Sequence, residues 1–151
     1  VQAFTTNKNR NFKIEDTATI SIIFNSGALC TLNLSDTIVA PWSYELTAGE
    51  NPVYPITNQS AYMIGGTKGS LQFPNLKYWF YKNKRSWWNK ILVKEDINKK
   101  DDNTLINQID HFADVVSKKI KPKVNGKDGL VSLKIFAAIT KSAKLGKKIR
   151  L

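Results

Sequence analysis

Cysteine, histidine and methionine each occur once in this chain of 151 residues, as Cys30, His111 and Met63. One cysteine excludes an internal disulfide, and in its apolar, alternating segment Cys30 reads as a small core filler. One histidine without a spaced cluster of Asp, Glu or Cys offers no metal-ligand signature. No apolar run approaches the roughly 20 residues that a membrane-spanning helix requires, and no leader peptide opens the chain. These absences point to a cytoplasmic, reducing setting with no membrane role. The sequons at Asn33 and Asn58 carry weight only in a secreted protein and are discounted. With Val1 first and no methionine before Met63, the sequence reads as a piece of a longer protein.

What is present is a strong positive charge. The net charge is +11, unevenly spread: residues 1–76 hold four Lys or Arg against five Asp or Glu, and residues 77–151 hold nineteen against seven. Such asymmetry suits either a polyanionic partner or a solvated lysine-rich face.

The local patterns are those of strands followed by helices. Residues 1–6, 17–24 and 28–35 alternate as strands, the last two joined across a turn at Asn25, Ser26 and Gly27. Further strands are expected over "AYMIGG", "GSLQFP", "LKYWFYK" and "WWNKILVKE", with "NKKDDN" closing the β region. In "NTLINQIDHFADVVSKKI", Leu105, Ile109, Phe112 and Val116 lie on one helical face, with Asp101 or Asp102 as the expected cap. A second helix runs from Asp128 to its stop at Gly146, with Leu130, Leu133, Phe136 or Ala137, and Thr140 along one side. "KKIRL" reads as a short last strand. The fold class is α+β: one domain over residues 1–151, an open, mainly antiparallel sheet with two helices packed on one face. The uncovered face must meet something else.

The glycines of "MIGGTKGSLQF" raise the question of phosphate binding. A P-loop places its lysine after the last glycine and opens a helix, and a dinucleotide fingerprint also opens a helix. Here Gly65, Gly66 and Gly69 have strand-like sequence on both sides, so a tight turn using positive φ is the better reading.

Residues 36–60, "DTIVAPWSYELTAGENPVYPITNQS", have three prolines and no sustained period, with one helical turn expected at residues 43–48. Long irregular segments in compact domains are commonly functional. Asp36, Trp42, Tyr44, Glu45, Glu50, Asn51 and Tyr54 pair hydrogen-bonding groups with aromatic faces, the combination that holds polyols. Together with His111 they are the candidate substrate contacts, set against plain covering of the sheet edge and, for His111, plain packing. Glu45 and Glu50 are spaced for an acid–base pair, although a solvated acidic loop is the simpler reading.

"YWFYKNKRSWW", residues 78–88, interleaves aromatics with bases, the pattern of a single-stranded nucleic-acid platform. The alternative reading is strands whose rings pack between the sheet and a partner.

"EDTATISIIFNSGALCTLNLSDT" followed by "MIGGTKGSLQFP", then "HFADVV" and "KPKVNGKDGLVSLKIFAAITKSAKLGKKIRL", resembles the C-terminal domain of the Gfo/Idh/MocA oxidoreductases over nearly the whole chain. The resemblance implies a separate N-terminal Rossmann domain holding NAD or NADP, hydride transfer on a sugar, polyol or related hydroxy compound, and homo-oligomerisation through the open sheet face. The family's E-K-P and D-x-x-x-H motifs do not occur here; Lys121–Pro122 lacks the glutamate. The isolated chain is therefore expected to have no catalytic residue and no cofactor of its own. Nucleic-acid binding is the alternative from another class.

Overall fold

The computed structural model describes residues 1–94 and 103–151. They form two compact units: Val1–Val39 with Ile120–Leu151, and Ala40–Lys119.

In the first unit, β1 (Gln2–Thr6), β2 (Thr17–Ile23) and β3 (Leu29–Ser35) form an antiparallel sheet in that order. The β2–β3 hairpin turns as its sequence indicates. The Phe24 amide donates to Ala28 O at 2.9 Å, and Gly27 supplies the left-handed residue at φ 86°. Alternation along the strands puts Ala3, Ile20 and Leu32 in one cross-strand row. Against this row lies the helix Gly126–Leu145, the last in the chain. Its small residues Ala138 and Ser142 are buried, and Val1, Ala3, Ile20 and Ala138 form the core.

Ser142 joins three segments. Its Oγ accepts from the Ala3 amide at 3.0 Å and donates to Lys147 O at 2.7 Å. The helix begins with a capping box. Asn125 accepts from the amides of Lys127 and Asp128, and the Asp128 carboxylate accepts from the Asn125 amide. It ends at Gly146, φ 62°, as the sequence predicts. The expected last strand does not form. Once Gly146 turns the chain and Lys147 O is tied to Ser142, only Ile149 pairs, exchanging both backbone bonds with Val1 at 2.8 Å. Cys30 is half-buried rather than a core residue.

The second unit opens with α1 (Tyr44–Ala48), the expected helical turn. Then β4 (Tyr62–Gly65), β5 (Ser70–Phe73), β6 (Lys77–Phe80) and β7 (Leu92–Lys94) form a second antiparallel sheet in chain order. The β4–β5 connection answers the glycine question. The Gly66 amide donates to Gly69 O at 2.9 Å, closing a tight hairpin. Its glycines do not use positive φ, contrary to the sequence-based expectation. They are needed for space: a Cβ on Gly66 would stand 2.8 Å from Gly69 O, and one on Gly69 would enter the Tyr78 ring.

Next comes α2 (Thr104–Val116). Its cap is Asn103, whose Oδ1 accepts from the amides of Leu105 and Ile106 at 3.0 and 3.2 Å. The expected caps Asp101 and Asp102, and the "NKKDDN" turn up to them, lie outside the described residues. The last helix, Gly126–Leu145, is α3. The chain is thus α+β with open antiparallel pairing, carried by two sheets and three helices. α3 buries Ala138 and Ser142. No residue of α2 is buried, and Leu105, Ile109, Phe112 and Val116 are 63–66% exposed.

Candidate functional site

The 36–60 segment is ordered by its own hydrogen bonds. Buried Thr47 donates to Ser43 O at 2.9 Å, the Thr57 amide donates to Leu46 O at 2.7 Å, and the Thr57 hydroxyl reaches Pro41 O. Gly49 closes α1 at φ 67°, where a side chain would press on Ile56. These bonds make the segment a folded loop rather than a loose cover.

The segment's candidate residues divide into groups. Tyr44 donates to Glu50 Oε1 at 2.8 Å, and that bond pushes the phenol up to about 12. A phenol so raised stays protonated through the physiological range and serves as a fixed donor. Glu50 is therefore committed to Tyr44. Glu45 is exposed in the first turn of α1, so the geometry makes no acid–base pair of the two. The Tyr44 ring also stacks with Phe73 at 6.2 Å and meets Tyr62 edge-on at 6.0 Å, fastening α1 to β4 and β5. Asn51 organises its own turn, accepting from the Val53 amide at 3.0 Å, with exposed Tyr54 beyond it. Asp36 belongs to the first unit, where Arg10 engages it in a 3.3 Å ion pair and donates to its carbonyl. His111 is half-buried on α2.

Trp42 lines a cleft of about 360 Å³. A cross-strand row also lines it, Met63 opposite Gln72 and Gln72 opposite Lys77. Asn75 comes from the β5–β6 turn, where Leu76 adopts φ 54°, an uncommon conformation for leucine. Asn58, Gln59 and Ser60 also line the cleft. Apart from Trp42, sequence reasoning missed these residues. Their signal was the alternation of "MIGGTKGSLQF" into "NLK", which puts Met63, Gln72 and Lys77 on one face, but the pairing register is needed to see it. The Ser60 Oγ is buried with no hydrogen-bond partner among the described residues.

Tyr78 and Phe80 stack at 5.4 Å on one face of β6, as alternation requires. Trp87 and Trp88 do not belong to a strand. They sit in the β6–β7 loop, 97% and 94% exposed, because pairing starts only at Leu92. Residues 51–94 contain seven Lys or Arg and no Asp or Glu. The segment that builds this sheet therefore carries a positive net charge.

Among the described residues, none of the chain's helices is long and apolar enough to cross a membrane, and no cluster of His, Cys, Asp or Glu is arranged to hold a metal. The profile of the oxidoreductase family's C-terminal alpha/beta domain matches residues 1–151. The chain belongs to that family, as the C-terminal domain of a Gfo/Idh/MocA oxidoreductase. No curated protein and no solved structure matches it.

Proposed function

We propose that this chain is the substrate-binding and oligomerisation portion of an NAD(P)-dependent oxidoreductase acting on a sugar, polyol or related hydroxy compound. The family match over residues 1–151 carries this reading. The whole enzyme's reaction is hydride exchange between a carbinol carbon and the nicotinamide, chemistry that the cofactor supplies.

The described residues do not fit a dinucleotide. The glycine turn joins two antiparallel strands, not a strand and a helix. The first amides of α3 are taken by Asn125, with the Asp128 carboxylate beside them, which disfavours a pyrophosphate. On this reading the cofactor belongs to a separate N-terminal Rossmann domain, and this chain's part is to bind and orient the hydroxylated substrate. The uncovered α2 face and the exposed Trp87 and Trp88 support contact with that domain or with a further copy of the chain.

The test is nicotinamide reduction by the enzyme containing this chain, with a panel of sugars and polyols as hydride donors. Turnover of a secondary alcohol is the expected result. A protein that binds neither NAD(P) nor any hydroxylated compound would overturn the assignment. The nucleic-acid alternative gains nothing from the family match.

A further inference from the structure

We infer that the cleft between Trp42 and the Met63–Gln72–Lys77 row holds the ring of the hydroxylated substrate, and that it selects against aminated analogues. The inference rests on the function proposed above and assigns the site within it.

Three observations carry the assignment. First, the cleft's volume, about 360 Å³, lies in the range of small-molecule sites. Second, its polar lining is mainly uncharged and uncommitted. Asn58, Gln59, Gln72 and Asn75 each offer two N–H donors and a carbonyl acceptor, and no amide side chain among them hydrogen-bonds to another described residue. The Ser60 hydroxyl is buried without a hydrogen-bond partner among the described residues. Buried polar groups are rarely left so unless a ligand or water satisfies them. A set of groups that both donate and accept matches adjacent hydroxyls, which do the same. Third, Trp42 and Met63 add apolar surface to that polar set. A pyranose or cyclitol ring has this division: hydroxyls around its edge and C–H bonds on its faces.

The selectivity follows from charge. Among the described residues no carboxylate lines the cleft, and residues 51–94 hold only bases among their charged side chains. An ammonium group on the ring would meet no carboxylate among these lining residues, whereas a hydroxyl finds donors and acceptors in the amides.

Binding to the enzyme containing this chain is to be measured by calorimetry with D-glucose, D-glucuronate, myo-inositol and D-glucosamine. At least one of the first three is expected to bind, and D-glucosamine at least about tenfold more weakly than D-glucose or D-glucuronate. Gln72→Ala and Ser60→Ala are each expected to weaken the best of these ligands about five- to tenfold, the scale of one lost hydrogen bond. Trp42→Ala should weaken it more. Because Trp42→Ala can disturb the loop, the two milder variants and their unchanged melting curves are the control. If a hydroxylated compound binds or turns over but Gln72→Ala and Ser60→Ala leave its affinity within twofold, the cleft assignment is wrong and the oxidoreductase reading stands. If D-glucosamine binds as tightly as D-glucose, the charge selection is wrong. If no hydroxylated compound binds or is oxidised, the proposed function itself falls.

Discussion

The two units are held together by different means. The first has a dry core, Val1, Ala3, Ile20 and Ala138, sealed by a helix that presents small residues to a strand. In the second, apart from Pro74, no aliphatic or aromatic residue is fully buried among those described. It relies on backbone bonds across its loop, the Tyr44–Tyr62–Phe73 cluster and four paired strands. Yet it carries the more amphipathic helix. α3 looks the less convincing by apolar periodicity and docks closely. α2 looks the more convincing and has no buried residue. Small residues let a helix approach a sheet, whereas large apolar residues in a row call for a partner with matching depth. Burying each such side chain is worth about 1.5–3 kcal/mol, so the open face of α2 is a surface made to be covered.

The largest expected effects come from setting the two helices against each other. Ser142→Ala leaves the buried Ala3 amide without its acceptor and the part-buried Lys147 O without its donor. It should cost about 2–4 kcal/mol, with orphaned groups at roughly 1–3 each, read as a fall in the urea midpoint. Phe112→Ala should change the unfolding free energy of the isolated chain by no more than about 0.5 kcal/mol, as expected of an exposed site. In the assembled enzyme, Ile109→Glu should instead lower the association state seen by sedimentation. A loss above 2 kcal/mol for Phe112→Ala in the isolated chain would erase the distinction between the helices.

A middling effect sharpens the contrast within the hairpins. Gly27 is required by its dihedral, and Gly69 by the Tyr78 ring. Gly27→Ala should cost about 1 kcal/mol of backbone strain. Gly69→Ala must displace the ring that stacks on Phe80 and should cost about 1–3 kcal/mol, the scale of overpacking. Thermal melts of both variants decide it. Equal costs for the two substitutions would mean that Tyr78 swings away freely.

These same residues show how far sequence reasoning reaches. Strand and helix positions were legible because alternation and the helical period are local, and Gly146 and Gly27 follow from turn chemistry alone. The split into two sheets was not, because it depends on which strands pair, and pairing is long-range. The stretch 78–88 read as the end of one strand, a turn and the start of the next, but β6 stops at Phe80 and the tryptophans fall in the loop. The site was legible only in part. Trp42 and Tyr44 are conspicuous in a proline-rich loop, and the loop's ordering was inferable from them. Gln72 and Asn75 are unremarkable in sequence. They become a site only when the β4–β5–β6 register sets them beside Trp42. Asp36 looked like part of the same loop, but Arg10 holds it in the other unit.

The smallest effects are titrations, and they run in opposite directions in the two units. In the first, the Asp16 carboxylate is held below its ordinary value chiefly by the Arg10 amide, which donates to Oδ2 at 3.1 Å, with the Asn9 amide also donating, at 3.0 Å. A carboxylate with a lowered folded value adds stability that is complete above its ordinary value of 3.8 and is lost as pH falls below it toward the folded value. In the second unit, Tyr44 is raised from 10.0 to about 12 by its bond to Glu50, so its contribution is complete below pH 10 and is lost as pH climbs toward 12. Stability of Asp16→Asn should therefore lose the acid limb below pH 4 while keeping the alkaline one, and Tyr44→Phe should do the reverse. Glu50→Gln should bring one of the five tyrosines back toward 10 in an absorbance titration. If Tyr44→Phe left the alkaline limb unchanged, the Tyr44–Glu50 bond would not be a fastening of the loop, and Trp42 would be held beside the cleft by the backbone bonds of Thr47 and Thr57 alone.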